Sequence, residues 1–310
     1  MTALSPRSTA ELSALVRDAG AARPGVSATP ATSFRIRGAG TWMDAGRRAE
    51  GATDLDLGAL SGVRTYAADD LTITVGAATP LSEVDRVTRA HGQWCPLLAW
   101  GDDSGTVGAT IATATTGPFA DALGRPRDLV LGLECVDGRG RVVRAGGRVV
   151  KNVAGFDLTR LLTGSWGTLG VITELHLRLR ARPAVDETFV LSDGTATLDD
   201  DVRTLARGAY APLGLQPIAP SVISVLGARA DARWLVRLGG NGAFVTAARA
   251  AYASLGRLEP LDQSAWDLVR VHAAPSFQST RWRCNALSRR IKALFDPFDL
   301  LNRGLLGAPE

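Results

Sequence analysis

Cysteine is scarce in this 310-residue chain: Cys95, Cys135 and Cys284 are the full complement, with no CxxC pair. That excludes a disulfide framework, a cysteine zinc cluster and an iron–sulfur cysteine run. Histidine is as rare: His91, His176 and His272 stand far apart with no HExxH, so no metal site is expected. No run of about 18 apolar residues occurs, which excludes a membrane-spanning helix. The first residues, MTALSPRSTAELSALV, lack a charged segment followed by an apolar one, so no secretory signal is read there and a cytoplasmic location is expected. Lysine is nearly absent: 33 of the 35 basic residues are arginine, leaving Lys151 and Lys292. The net charge of +4 is spread along the chain and not clustered, which argues against a nucleic-acid partner.

The chain is rich instead in small and apolar residues, 45% hydrophobic with 34 glycines. Its length allows roughly one to three domains, with a core large enough to fold without staples. Three zones emerge: residues 1–182, 183–275 and 276–310. In the first, Ser8 to Gly20 reads as a helix, Phe34 to Arg37 as a strand running into Gly38-Ala39-Gly40, and Leu71 to Val75 as another strand. Pro80 opens a helix through Val84 and Val87, and Asp137-Gly138 marks a hairpin between Asp128–Val136 and Arg141–Arg144. Asp157 to Leu162 fits a short helix, and Leu175, Leu177 and Leu179 alternate with polar residues in a strand. After Arg182-Pro183 the pattern predicts a strand at Glu187–Leu191, a helix at 198–207, strands at Ser221–Leu226 and Arg233–Leu238, and a helix near 243–255. That order suits an antiparallel sheet with helices on one face. From Cys284 an amphipathic helix is predicted, with Leu287, Ile291 and Leu294 on its apolar side, ending at Asp296-Pro297.

Three glycine-rich turns carry the chemistry: Arg37–Thr41, Gly101–Thr113 and Gly164–Thr173. Glycine permits positive φ and lets backbone N–H groups approach an anion without a Cβ in the way. Neighbouring Thr and Ser hydroxyls add donors. Three such turns on one sheet would hold one large ligand with phosphates and flat rings. A Rossmann site does not fit, because no glycine lies three positions after Gly40 and no acidic residue closes a βαβ unit. No GxxxxGK[ST] loop and no GxSxG elbow occurs.

On these turns, from about Arg35 to Pro183, the chain resembles the FAD-binding domain of the vanillyl-alcohol oxidase / p-cresol methylhydroxylase (PCMH-type) superfamily. The stretch GGRVVKNVAGFDLTRLLTGSWGTLGVITELHLRLRARP, Gly146 to Pro183, resembles the FAD-binding E subunit family of bacterial glycolate oxidases (glycolate dehydrogenases), with Val150 to Asp157 its most specific piece. The tail, Arg290-Ile291-Lys292 through Phe295-Asp296-Pro297 to Leu301-Asn302-Arg303-Gly304, resembles the family's C-terminal helix and its Asn-Pro-Gly ending. The resemblance implies an α+β fold: a PCMH-type FAD-binding domain of two α/β subdomains (1–182), an α+β cap domain (183–275), and a C-terminal helix and tail (276–310) returning to the FAD domain. By motif it places Arg37, Gly38, Ala39, Gly40 and Thr41 at the first diphosphate turn. Gly105, Thr106, Gly108, Thr110 and Thr113 fall in the loop along diphosphate, ribityl chain and flavin. Gly164, Gly167, Thr168 and Gly170 form the third turn, followed by Val171 and Ile172. Ala39 and Ala109 stand where glycine is usual, which a methyl allows only at negative φ. Thr41 occupies the place where relatives with covalent flavin often have histidine, so the FAD is expected to be non-covalent.

The implied reaction oxidises a 2-hydroxy acid (glycolate) to a 2-oxo acid (glyoxylate). The implied partners are a larger FAD-containing catalytic subunit and an iron–sulfur subunit, with peripheral attachment to the inner membrane through that complex as an alternative to a free cytoplasmic protein. Lys151, as a cation near the flavin, and Arg270 and His272, as carboxylate partner and base, are the candidate catalytic residues. If they serve, the chain is a self-sufficient FAD oxidoreductase on a hydroxy acid or alcohol; a flavin-binding scaffold without redox turnover is the third reading. Trp100 and Trp166 lie inside the cofactor turns as candidate ring covers, while Trp94, His91, His176 and the cysteines are read as packing or solvated residues.

Overall fold

The computed structural model describes residues 3–22, 33–45, 51–101, 103–147, 157–192, 196–273 and 285–305. Lys151, residues 150–156 and Cys284 lie outside the described residues.

Helix α1 (Thr9–Ala21) starts where the Ser8 hydroxyl accepts from the Glu11 N–H at 3.1 Å, and it buries Leu12 and Val16. Strand β1 (Phe34–Arg37) runs parallel to β2 (Thr53–Asp56). Then come β3 (Val63–Ala67), β4 (Thr72–Gly76), α2 (Leu81–Arg89), β5 (Gln93–Trp94) and α3 (Val107–Thr113). Short α4 (Ala120–Leu123) and α5 (Pro126–Leu129) lead into β6 (Val130–Asp137) and β7 (Val142–Gly146). Helix α6 (Leu158–Leu162), β8 (Gly170–Arg178) and β9 (Arg180–Ala181) complete this half. An antiparallel sheet forms in the order β3-β4-β8-β6-β7. The hairpin at Asp137-Gly138 is built as its sequence predicts. The buried Asp137 carboxylate accepts from the N–H groups of Arg139 and Arg141, each at 2.9 Å, while the Gly138 N–H donates to the Phe295 carbonyl.

Two cores flank this sheet. One joins Ile73, Val75, Leu133, Leu175 and Leu177 to α2 and α3; the other joins α1, β1 and β2 to Val136, Val171, Leu300 and Leu301. These two cores mark two α/β subdomains sharing one sheet. Cys95 and Cys135 are packing residues: burial pushes their thiols up to about 12.

Beyond Pro183 lie β10 (Val185–Ser192), α7 (Leu198–Arg207), β11 (Gly214–Pro217), α8 (Pro220–Ile223), β12 (Ala232–Gly240), α9 (Gly242–Ala253), β13 (Arg257–Leu261) and α10 (Ala265–His272). The second sheet has the order β11-β12-β10-β13, antiparallel throughout. Residues 221–226, expected as a strand, form the end of short helix α8 (to Ile223) and a turn instead. Pro220 sits at the first helical position, where its missing N–H costs nothing, and the Leu226 N–H closes on the Val222 carbonyl at 3.0 Å. The expected single helical face is also corrected. Phe189, Leu191, Trp234, Val236 and Leu238 pack on α7 and α9, whereas Val190 and Leu235 face the other way, onto α8, α10 and the first half of the chain.

Helix α11 (Ala286–Phe295) returns to the first half, where Ile291 and Phe295 pack on the large sheet's core. Leu287 and Leu294, expected on the apolar side, are exposed. Ile291 and Phe295, one turn apart, are the apolar residues of this helix that meet that core.

Candidate functional site

The three turns converge on one cleft. Strand β1 delivers the first turn and is pinned by the tail: the Phe34 N–H donates to the Leu300 carbonyl (2.6 Å), and the Asn302 N–H donates to the Phe34 carbonyl (2.9 Å). Helix α3 delivers the second turn, its start capped by the Thr106 hydroxyl accepting from the Ala109 N–H. The beginning of β8 delivers the third. Between them lies a cleft open to solvent on one side.

The lining takes Arg37, Gly38, Gly40 and Thr41 from the first turn, Thr106, Gly108 and Thr113 from the second, and Gly167, Gly170, Val171 and Ile172 from the third. The remaining residues named by motif stand beside or behind this wall. Ala39 is exposed. The Gly105 carbonyl accepts from the Leu81 N–H, and the Thr110 hydroxyl donates to the Thr106 carbonyl. Gly164, at φ +81°, donates to the Ile111 carbonyl, and the Thr168 hydroxyl donates to the Ser165 carbonyl.

The backbone geometry fits a bound dinucleotide. A Cβ on Gly38 would lie 2.6 Å from the Thr106 Oγ1, and one on Gly108 would lie 2.7 Å from both the Ala77 Cβ and carbonyl oxygen. Only glycine lets these segments close up. Gly40 has φ +88°, whereas Ala39 and Ala109 are not in the positive-φ region, so their methyls fit without strain. Among the described residues, the N–H groups of Gly38, Ala39, Gly40, Thr41, Gly105 and Thr106 have no protein acceptor. Such a row of donors with Arg35 and Arg37 beside it suits a diphosphate. Trp42, Met43, Leu57, Ala77, Ala78, Ala112, Trp166 and Leu305 supply apolar walls for flat rings. Trp42 and Trp166 meet edge to face, with ring centroids 5.6 Å apart.

Sequence reasoning passed over most of these wall residues, because small and apolar side chains carry no chemical signature. It also named Asn302 only as part of a tail. In the structure Asn302 lines the cleft: its Oδ1 accepts from the Ile36 N–H (2.9 Å) and its Nδ2 donates to the Trp166 carbonyl (2.8 Å).

Among the described residues, Arg35 and Arg37 are the ionisable side chains in the lining. The Arg37 guanidinium is raised above its usual range by its hydrogen bond to Asp56, and the Asp56 carboxyl is held low by the Gly58 N–H, with Arg37 contributing. Arg270 and His272 do not join the lining. Arg270 is buried on α10, donating to the Ala99 carbonyl and to Asp103, and His272 is exposed at the end of the same helix. Trp100 packs with the second sheet's core instead of on the cleft. His176 meets the Thr74 hydroxyl at 2.9 Å through its Nδ1, and Trp94 is buried beneath the guanidiniums of Arg182 and Arg237.

The family described as FAD binding domain matches residues 2–146. The glycolate oxidase subunit GlcE of Escherichia coli (strain K12) is 32% identical over 256 residues, 81% of this chain and 68% of that protein. The D-lactate dehydrogenase of Archaeoglobus fulgidus is 33% identical, and the glycolate oxidase subunit GlcD of Bacillus subtilis (strain 168) is 35% identical. They align over 56% and 39% of this chain, which spans 39% and 26% of their respective lengths. A solved alkyldihydroxyacetonephosphate synthase superposes with a TM-score of 0.67 at 16% identity, over 86% of this chain and 53% of that one, and shows the fold alone. With its three glycine turns around one cleft and its match to GlcE over most of both chains, this chain belongs to the GlcE family of FAD-binding oxidoreductase subunits.

Proposed function

We propose that this chain is the FAD-binding subunit of a glycolate oxidase-type complex that oxidises a 2-hydroxy acid to a 2-oxo acid, with the catalytic base supplied by a separate, larger flavoprotein subunit. Residues 1–182 form the FAD-binding unit in this reading, 183–275 the cap, and 276–310 a tail fastened to the first. FAD is held without a covalent bond by the turn residues Arg37–Thr41, Gly105, Thr106, Gly108, Thr110, Thr113, Gly164, Gly167, Thr168, Gly170, Val171 and Ile172. The diphosphate faces the first-turn N–H groups, and Thr41 offers no imidazole for attachment.

When bound, FAD supplies a hydride acceptor. Oxidising a 2-hydroxy acid also requires removal of the hydroxyl proton, and that needs a base within reach. The observation that carries the reading is the composition of the cleft: among the described residues its lining holds glycine-turn N–H groups and two arginines but no carboxylate, histidine or tyrosine. The chain's own residues bind and orient; they do not take the proton. Arg270 is committed to backbone and carboxylate partners and His272 lies exposed on the second unit, which favours the accessory role over self-sufficient catalysis. An iron–sulfur subunit completes the proposed complex, because the chain has no cysteine run to carry electrons onward.

The test is glycolate-dependent dye reduction by the chain alone, by the chain with its larger partner, and by the partner with flavin-free chain. Activity only in the second mixture supports the proposal. Activity of the chain alone overturns it, and full activity with flavin-free chain reduces the role to scaffolding. Acid precipitation of the purified protein should release all of its yellow colour into the supernatant.

A further inference from the structure

Arg270 does not reach the cleft, yet it is 2% exposed and its bonds are aimed at the segment that leads there. Its Nε donates to the Ala99 carbonyl (2.7 Å), its Nη2 donates to the Asp103 carboxylate (2.7 Å), and its own carbonyl accepts from the Gly101 N–H (2.9 Å). One residue of α10 therefore takes three contacts from residues 99–103. That segment brackets α3. The Trp100 N–H donates to the Thr116 carbonyl (2.9 Å), just beyond the helix, and Asp103 stands shortly before Thr106, which caps the start of the helix. Thr106, Gly108 and Thr113 of this helix form one wall of the cleft.

A guanidinium suits this task because its donors are fixed in a planar fork that can serve a carbonyl and a carboxylate together. Burying it carries a desolvation cost that these bonds must offset. A nonpolar side chain of similar volume would fill the space without reaching either acceptor.

We propose that Arg270 is a positioning residue for the cofactor: it fastens the second unit to both flanks of α3, so that FAD binding and the docking of α10 are coupled. The proposal rests on the FAD reading of the cleft given above. It predicts reciprocity, since a clamp that strengthens FAD binding must itself be strengthened by FAD.

The experiment titrates FAD into the full-length wild type, Arg270→Met, Arg270→Lys, Asp103→Asn and the Asp103→Asn/Arg270→Lys double variant. Hydrogen exchange of the α10 amides is followed with and without FAD. Arg270→Met is expected to weaken FAD binding at least tenfold and Arg270→Lys by less. Asp103→Asn should weaken it severalfold, and the double variant should be less damaged than the product of its singles. In the wild type FAD should slow exchange in residues 265–272, and in Arg270→Met it should not. A folded Arg270→Met with wild-type FAD affinity, or α10 exchange indifferent to FAD in the wild type, overturns the clamp. If Arg270→Met does not fold, the half-exposed Asp103 and its cycle with Arg270→Lys decide: additive or absent effects on FAD affinity overturn it. A wild type that binds no FAD overturns the cleft reading and the clamp with it; a wild type that binds while the variants are unaffected overturns the clamp alone.

Discussion

Asn302 joins parts of the chain that are 266 residues apart, with its Oδ1 on the Ile36 N–H and its Nδ2 on the Trp166 carbonyl. It holds φ +44°, a region that asparagine tolerates better than most residues. Asn302→Ala would remove both bonds and leave two backbone groups without their partners, so a loss of about 2–3 kcal/mol is expected in urea unfolding, together with weaker FAD binding. Asn302→Gly loses the same bonds but relieves the backbone and should cost less than the alanine variant, a comparison that separates the two contributions. Glu134 gives a pH test of the same fold. Burial acts to raise its carboxyl, but hydrogen bonds from Thr9, Thr173 and Arg144 outweigh this and hold it below the usual glutamate range. Because the folded value is depressed, the stabilisation is complete above the unfolded value and is lost as pH falls through the folded one. Glu134→Gln should therefore cost about 1–2 kcal/mol at neutral pH, and the gap from wild type should narrow below about pH 4.3, measured as urea midpoints across that range. A gap independent of pH would show that the carboxylate charge contributes nothing.

At the scale of elements, local signals reached what local chemistry builds. Helix α7 occupies the residues its apolar spacing indicates, α1 begins at its serine cap, and the Asp137-Gly138 hairpin closes through its own side chain. Helix α3 was not legible, because VGATIAT has no amphipathic period. Its helix exists because the Val107 and Gly108 N–H groups are received by Thr79 and Ala77, a tertiary arrangement that sequence spacing cannot express. The cleft divides in the same way. Its glycines stand out in the sequence, while Ala77, Ala78, Leu57 and Met43 become visible only when separate strands bring them together. The tail shows how one lysine completes such an arrangement. The Lys292 Nζ donates to the carbonyls of Thr168 and Leu301, each at 2.9 Å, and to the buried Asp296 carboxylate, tying α11 to the third turn. Lys292→Met should cost about 2–3 kcal/mol and weaken FAD binding, because Asp296 keeps only its bonds from the Leu300 and Leu301 N–H groups. A variant with unchanged stability and flavin affinity would show that the third turn holds its shape without the tail.

At the scale of the molecule, the two units share a core and do not merely touch. Trp94, Phe119 and Leu123 of the first pack with Val190, Leu235 and Trp266 of the second, and the Phe119 and Trp266 ring centroids lie 4.8 Å apart. Arg237 of β12 stands over both the Trp94 and the Phe119 rings, at 5.2 and 5.0 Å, while its guanidinium is paired with Asp186. At Gly214 the packing is tight: a Cβ there would lie 2.7 Å from the Phe119 ring. An interface packed like an interior makes its two sides unfold together. Far-UV circular dichroism and tryptophan fluorescence should therefore follow one transition, although the proposed FAD cleft takes none of its described lining from residues 183–275. FAD at a hundredfold excess over its Kd should stabilise that whole transition by about 2.7 kcal/mol, moving both probes equally. Gly214→Ala, which forces a methyl against Phe119 and Trp266, should cost about 1–3 kcal/mol and separate the transitions, leaving the second unit's melting insensitive to FAD. Two wild-type transitions, with only one displaced by FAD, would mean that the units fold independently and that the shared aromatic cluster transmits nothing between them.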